Sequence, residues 1–195
     1  MATAFSETEN NLIKEKLKAC AREYLLRYGV RKTTVDQLAG EAAISKGSFY
    51  KFYSSKELLF WEVINDLHEE TYILAENILK TRMDLPPVDR LTEALISCFN
   101  HMYTHVSPDF MAHEVEYLIR KLPPDVITSH TSSEALAIER LIQDSHFKFN
   151  QPLEVITNVI HALIFTTDHR ESIGKDYETV MRIIIKGTFS QLVIE

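Results

Sequence analysis

The sequence predicts an all-α protein of about nine helices, and three observations carry that prediction. Apolar residues recur at three- and four-residue spacing along most of the 195 residues, only five of which are glycine. No run alternates in the manner of a half-buried strand, and no Asn-Gly hairpin signal occurs. The six prolines (Pro86, Pro87, Pro108, Pro123, Pro124 and Pro152) stand where helical patterns begin, as suits a residue with a fixed φ and no amide hydrogen.

The elements follow in order. A first helix over residues 8–28 is closed by Gly29, a good C-cap. Thr34 caps the second, 34–41, its hydroxyl accepting from free amides of the first turn, and Val35, Leu38, Ala39 and Ala42 then fall at helical spacing. Ser45 caps the third, 45–52, in which Phe49 and Phe52 share the core face while Lys46, Ser48, Tyr50 and Lys51 point elsewhere. Gly47 costs that helix roughly 1 kcal/mol relative to Ala, which makes sense where a phosphate strand must approach the backbone closely. Ser55 caps a long fourth helix, 55–81, with Lys56 in its first turn, where free amides and an ammonium suit a phosphate oxygen. Proline-led helices over 87–105, 108–120, 124–148 and 152–168 come next, with a candidate break at Ser129–Ser133, and a last helix spans 175–193.

Two capped short helices joined by a tight turn are the sequence form of a DNA-reading helix-turn-helix. Charge agrees: residues 1–56 hold ten Lys/Arg against six Asp/Glu and the remainder eleven against twenty-two, joining a segment of +4 to one of −11 and giving the net −7. A basic quarter on an acidic body binds a polyanion through that quarter alone. Hydrophobic content of 45% with few glycines fits one or two compact soluble domains. The polar start lacks the regions of a signal peptide and no apolar run reaches membrane length, so a cytoplasmic protein without a membrane partner is expected. Cys20 and Cys98 sit in separate amphipathic stretches and read as buried thiols. Motifs for a nucleophile elbow, a phosphate loop or a zinc-protease helix are missing, which argues against an enzyme, and no cofactor is expected.

Thr34, Leu38, Ala39, Ser45, Lys46, Gly47, Phe49, Tyr50, Phe52, Tyr53, Ser55, Lys56 and Glu57 together resemble the DNA-binding domain of the TetR family of bacterial transcriptional regulators. That pattern runs from a threonine-led helix through a glycine-containing turn to Ser-Lys-Gly, a hydrophobic residue and Tyr, an aromatic pair, and Ser-Lys-Glu. Two positions depart from it. Ala43 stands where the turn usually has Gly, implying a slightly different turn or a little strain, and Phe52 stands where His or Tyr often contacts phosphate. The resemblance implies a three-helix reader domain over 1–56 and a six-helix effector-binding and dimerisation domain over 57–195. It implies a homodimeric regulator, a repressor that a small, partly apolar effector releases from a palindromic double-stranded operator. The residues expected on DNA are Thr34, Ser45, Lys46, Gly47, Ser48, Tyr50, Lys51, Tyr53 and Lys56.

Side chains of the body suggest where the other partners sit. Trp61, Phe99, Met102, Tyr103, Phe110, Met111, Tyr117 and Phe165, with His113 and His169 as polar neighbours, form a candidate effector pocket of large, adaptable apolar groups. Val155, Ile156, Val159, Ile160 and Leu163, with Ile184 and Gly187, form a candidate dimer interface, where the glycine permits close helix approach. His101 and His105, one turn apart and near His113, Glu114 and Glu116, raise a metal-responsive alternative, although no metal site is assigned from spacing alone. A second alternative is a helical ligand-binding or adaptor protein whose reader has lost its affinity for DNA.

Overall fold

The computed structural model describes residues 6–107, 110–166 and 170–194, without the side chains of Met111, Ala112 and Phe165. The expected all-α class holds, with eight helices of seven residues or more among the described residues. The chain divides into two compact units. One takes in residues through Leu67 together with Thr104–Pro123, the other His68–Tyr103 together with Pro124 onward.

In the first unit, α1 (Glu7–Arg27) opens on a capping box in which Ser6 Oγ accepts from Glu9 N at 3.3 Å and Ser6 N donates to Glu9 Oε2 at 2.8 Å. Its buried side chains, Leu17, Ala21 and Leu25, recur every fourth residue. Gly29, left-handed just after the C-cap Tyr28, closes the helix as expected. It also opens an extra turn, α2 (Gly29–Lys32), at φ +76°. Thr34 and Gln37 form a second capping box at the start of α3 (Val35–Glu41), and Ser45 caps α4 (Lys46–Phe49). α4 is shorter than expected, but turn bonds from Lys51 N to Ser48 O and from Tyr53 N to Phe49 O carry the coil on to Tyr53. α5 (Lys56–Thr81) begins at the Ser55 cap, with Leu58 N donating to Ser55 Oγ at 3.2 Å, and Leu59, Phe60, Val63 and Leu67 are buried. Lys14 and Lys18 pair with Glu62 at 3.0 Å and Asp66 at 2.6 Å, partly exposed contacts worth about 0–1 kcal/mol each.

The stretch 104–123 adds a π-helical turn, Phe110–Glu114, and then α7 (Val115–Lys121), with Val106, Phe110, Leu118 and Leu122 buried. Single π-turns are rare and gather at functional positions.

The second unit contains the rest of α5, most of α6 (Pro87–His105), α8 (Pro124–Asp144), α9 (Leu153–Phe165), a short α10 (Arg170–Ile173) and α11 (Tyr177–Leu192). Its core gathers Leu91, Phe99, Ile142, Ile156, Ile160, Met181, Ile185 and Phe189. The suspected break at Ser129–Ser133 does not occur. Thr128 and Thr131 return their hydroxyls to Pro124 O and Ile127 O at 3.0 and 3.1 Å, which satisfies them inside the helix. α8 ends instead near His146, at φ +57°. Two residue pairs, Lys148 with Ile194 and Phe149 with Val193, make a minimal antiparallel ladder (β1, Lys148–Phe149; β2, Val193–Ile194), too short to leave an alternating pattern.

Candidate nucleic-acid interface

The turn between α3 and α4 is closed by Ala43 N to Gly40 O at 3.0 Å and Ile44 N to Ala39 O at 2.9 Å, and Ala43 adopts φ +56°. A side chain in that left-handed region costs roughly 1–2 kcal/mol, the strain expected of an alanine in a glycine position. Ser45 Oγ accepts from Ser48 N at 3.1 Å and lies 3.0 Å from Ser48 Oγ, so α4 has a fixed start.

Below α4, Phe49 is completely buried and the Tyr53 ring packs 6.1 Å from it, while Phe52 is only half-buried. Above it, Lys46, Gly47, Tyr50 and Lys51 are exposed and Ser48 is partly so. A Cβ placed on Gly47 would meet nothing nearer than Ser45 Oγ at 3.9 Å. No intramolecular crowding therefore demands glycine there, and its absent side chain leaves bare backbone on the outer face. Lys46 Nζ reaches Asp36 Oδ2 at 2.8 Å, and this hydrogen bond raises the lysine's pKa. Thr34 is exposed, its hydroxyl donating to Gln37 Oε1 at 2.9 Å.

Two of the nine residues expected on DNA face inward. Tyr53 is buried, with Lys14 Nζ 5.8 Å from its ring centre, and burial first and the Glu62 carboxylate second raise its pKa. Lys56 donates to Val30 O and Thr33 O at 2.6 Å each and lies 3.4 Å from Arg31 O, and burial lowers its pKa. The carbonyls at the end of α2 attract it because they lack helical partners. Arg31 and Lys32, on α2 itself, are exposed cations that the motif did not single out.

The candidate pocket residues are distributed between the units. Trp61 and Phe110 are buried in the first, where His113 is exposed and the Tyr117 hydroxyl donates to Glu57 Oε1 at 3.1 Å beneath Arg31. In the second, Phe99 is a core residue, Met102 is half-buried, and Tyr103 donates to Glu171 Oε1 at 2.9 Å with the Arg170 guanidinium 3.8 Å from its ring centre. Met111, Phe165 and His169 lie outside the described side chains. An open groove of about 490 Å³ in the second unit is lined by none of these residues. Glu70, Ile73, Leu74, Asn77 and His101 are among its walls, with Glu70 and His101 3.1 Å apart. Of the candidate interface residues, Ile156, Ile160 and Leu163 are buried in their own chain's core and Val159 is half-buried. Val155, Ile184 and Gly187 are exposed, and a Cβ on Gly187 would meet no atom within 4 Å.

Comparison with known proteins gives this surface a context. Residues 19–63 match the family model for bacterial regulatory proteins of the tetR family. An uncharacterised HTH-type transcriptional regulator of Bacillus subtilis, YuxN, is 36% identical over 80 residues, 41% of this chain and 25% of the relative. The chain thus matches about a quarter of that regulator's length. Among solved structures, reduced NemR of E. coli superposes with a TM-score of 0.68 at 16% identity, covering 93% of this chain and 97% of its own. RolR in complex with resorcinol gives 0.61 at 15% identity, covering 94% and 90%. These structural likenesses carry the fold.

Proposed function

We propose that this transcriptional regulator, tetR-type in its DNA-binding domain, acts as a homodimeric repressor that leaves a palindromic operator when a small, partly apolar effector binds. The observation that carries the reading is the outer face of α4, where Lys46, Ser48, Tyr50 and Lys51 surround the bare backbone of Gly47 above a buried Phe49. That face offers cations and hydrogen-bonding groups to a major groove, and Ser45 and Thr34 flank it for phosphates. Tyr53 and Lys56 support the reader from within. RolR, which shares the fold, was solved with resorcinol, and this supports a small-molecule signal for the present chain too. An effector lowers DNA affinity only by binding the released state better, by about 1.4 kcal/mol for each tenfold loss. The decisive experiment is an electrophoretic mobility shift of the full chain against tiled DNA from around its own gene. A discrete, salt-sensitive shift confined to one palindromic tile is expected, and equal binding to every tile would refute the operator reading.

A further inference from the structure

Within the unit that carries the reader helices, one acidic side chain is committed to backbone far away in sequence. Glu114 ends the π-turn and is 1% exposed. Its carboxylate accepts from Val30 N at 2.5 Å and from Arg31 N at 3.2 Å. These are free donors at the start of α2, a helix of four residues with no side-chain cap of its own. Gly29 makes the approach feasible: its φ is +76°, and a Cβ there would come within 2.8 Å of Glu114 Cδ. At the opposite end of the same turn, Lys56 holds the carbonyls of Val30 and Thr33, and Thr33 Oγ1 donates to Gly29 O at 2.7 Å. An anion on the amides and a cation on the carbonyls is the arrangement that the peptide dipoles favour. The next residue, Thr34, caps α3.

We infer that Glu114 is a positioning residue for DNA reading: by clasping α2 it sets the direction in which Thr34 launches α3 and α4. The inference rests on the operator reading above. Two neighbouring contacts seat the same stretch on the same unit, Ser107 N to Leu25 O at 3.2 Å and the Tyr117 hydroxyl to Glu57. Glu114→Gln keeps one acceptor oxygen but turns an NH₂ group toward the second amide, so the clasp is lost with little change in volume.

The test uses the full chain and two probes, a duplex that the unaltered protein enriches from a random-sequence pool and a scrambled duplex of equal composition. Glu114→Gln is expected to weaken binding to the enriched duplex at least tenfold and to the scrambled one less than twofold. Glu114→Ala should do the same. Gly29→Ala should also weaken enriched binding, and the Gly29→Ala/Glu114→Ala double variant should lose less than the product of the two single losses, because the overlap with the carboxylate is gone. A ratio of enriched to scrambled affinity within twofold of the unaltered protein, or parallel weakening on both duplexes, overturns the inference. So does a melting point below the assay temperature in both Glu114 variants, which would assign the residue to stability alone. If the unaltered protein enriches no duplex, the operator reading itself fails and takes the positioning role with it.

Discussion

Ala43, held at φ +56° between α3 and α4, carries a strain that glycine would not. Replacing it with glycine relieves that strain but adds freedom to the unfolded chain, so Ala43→Gly should stabilise by a net roughly 0.5–1 kcal/mol. A thermal melt should rise by about 1–4 °C, and a fall would show that the turn holds alanine without strain. His68 supplies a pH dependence in the second unit. Its ring lies 5.0 Å from that of His130, and burial first, with His130 second, lowers its pKa from 6.5 to about 4. Between those two values the unfolded chain takes up a proton that the folded one refuses. This group's contribution is therefore complete above about pH 6.5, declines as pH falls toward 4 and is flat below. At about 1.36 kcal/mol per unit the loss is at most about 3–4 kcal/mol. Denaturant melts of the unaltered protein and of His68→Phe at pH 7, 5.5 and 4.5 isolate that share, since carboxylates titrate in both. The variant should show the shallower decline, and equal slopes would remove His68 from the account.

Among the elements, α2 through α5 separate two lysines that the motif treats alike. Lys46 is exposed beside Asp36 on the outer face of the reader, whereas Lys56 is spent on the carbonyls of α2. Lys46→Ala should weaken operator binding and make the slope of log affinity against log salt shallower by about 0.9, the signature of one cation removed from the groove and its released counterion. Lys56→Ala should leave that slope unchanged and lower stability by about 1–3 kcal/mol, because buried carbonyls lose their donor. A slope change in Lys56→Ala equal to that of Lys46→Ala would return Lys56 to the DNA surface. The contrast also marks what a sequence makes legible. Caps by Thr34, Ser45 and Ser55 act on amides three residues away, and amphipathic spacing is local, so the helix starts and the burial of Phe49 could be read from the chain. The Glu114 clasp joins residues 84 apart, and nothing in the run Met-Ala-His-Glu reveals that the partner is a pair of backbone amides. α2 was hidden because Gly29 closes α1 and nothing local shows that a further turn starts on the same residue. The pocket list was the hardest part to read because large apolar side chains mark cores and cavities equally well, and Phe99 is a core residue of its unit.

On the scale of the whole molecule, the charge division favours the proposed DNA contact at the reader, since the −11 of residues 57–195 repels a polyanion. On the proposed reading one reader covers one half-site, so a palindromic operator takes two chains, with reading helices about 34–36 Å apart. Apolar stripes on α9 and α11 suggested the surface that joins them, but periodicity cannot tell which part of a stripe its own chain already covers. Ile156, Ile160 and Leu163 turn inward, leaving Val155, Ile183, Ile184 and Gly187 exposed. A charge at an exposed position costs the single chain about 0.5 kcal/mol or less, whereas at the centre of an interface it is buried twice by symmetry. Ile184→Asp should therefore keep its melting profile at low protein concentration and sediment with the mass of one chain at micromolar concentration. Its affinity for the full palindrome should fall on the order of a hundredfold, because the second half-site no longer binds intramolecularly, while affinity for an isolated half-site stays as in the unaltered protein. A variant that remains dimeric would move the interface off this face. A monomer with undiminished affinity for the palindrome would refute the two-headed mode of reading.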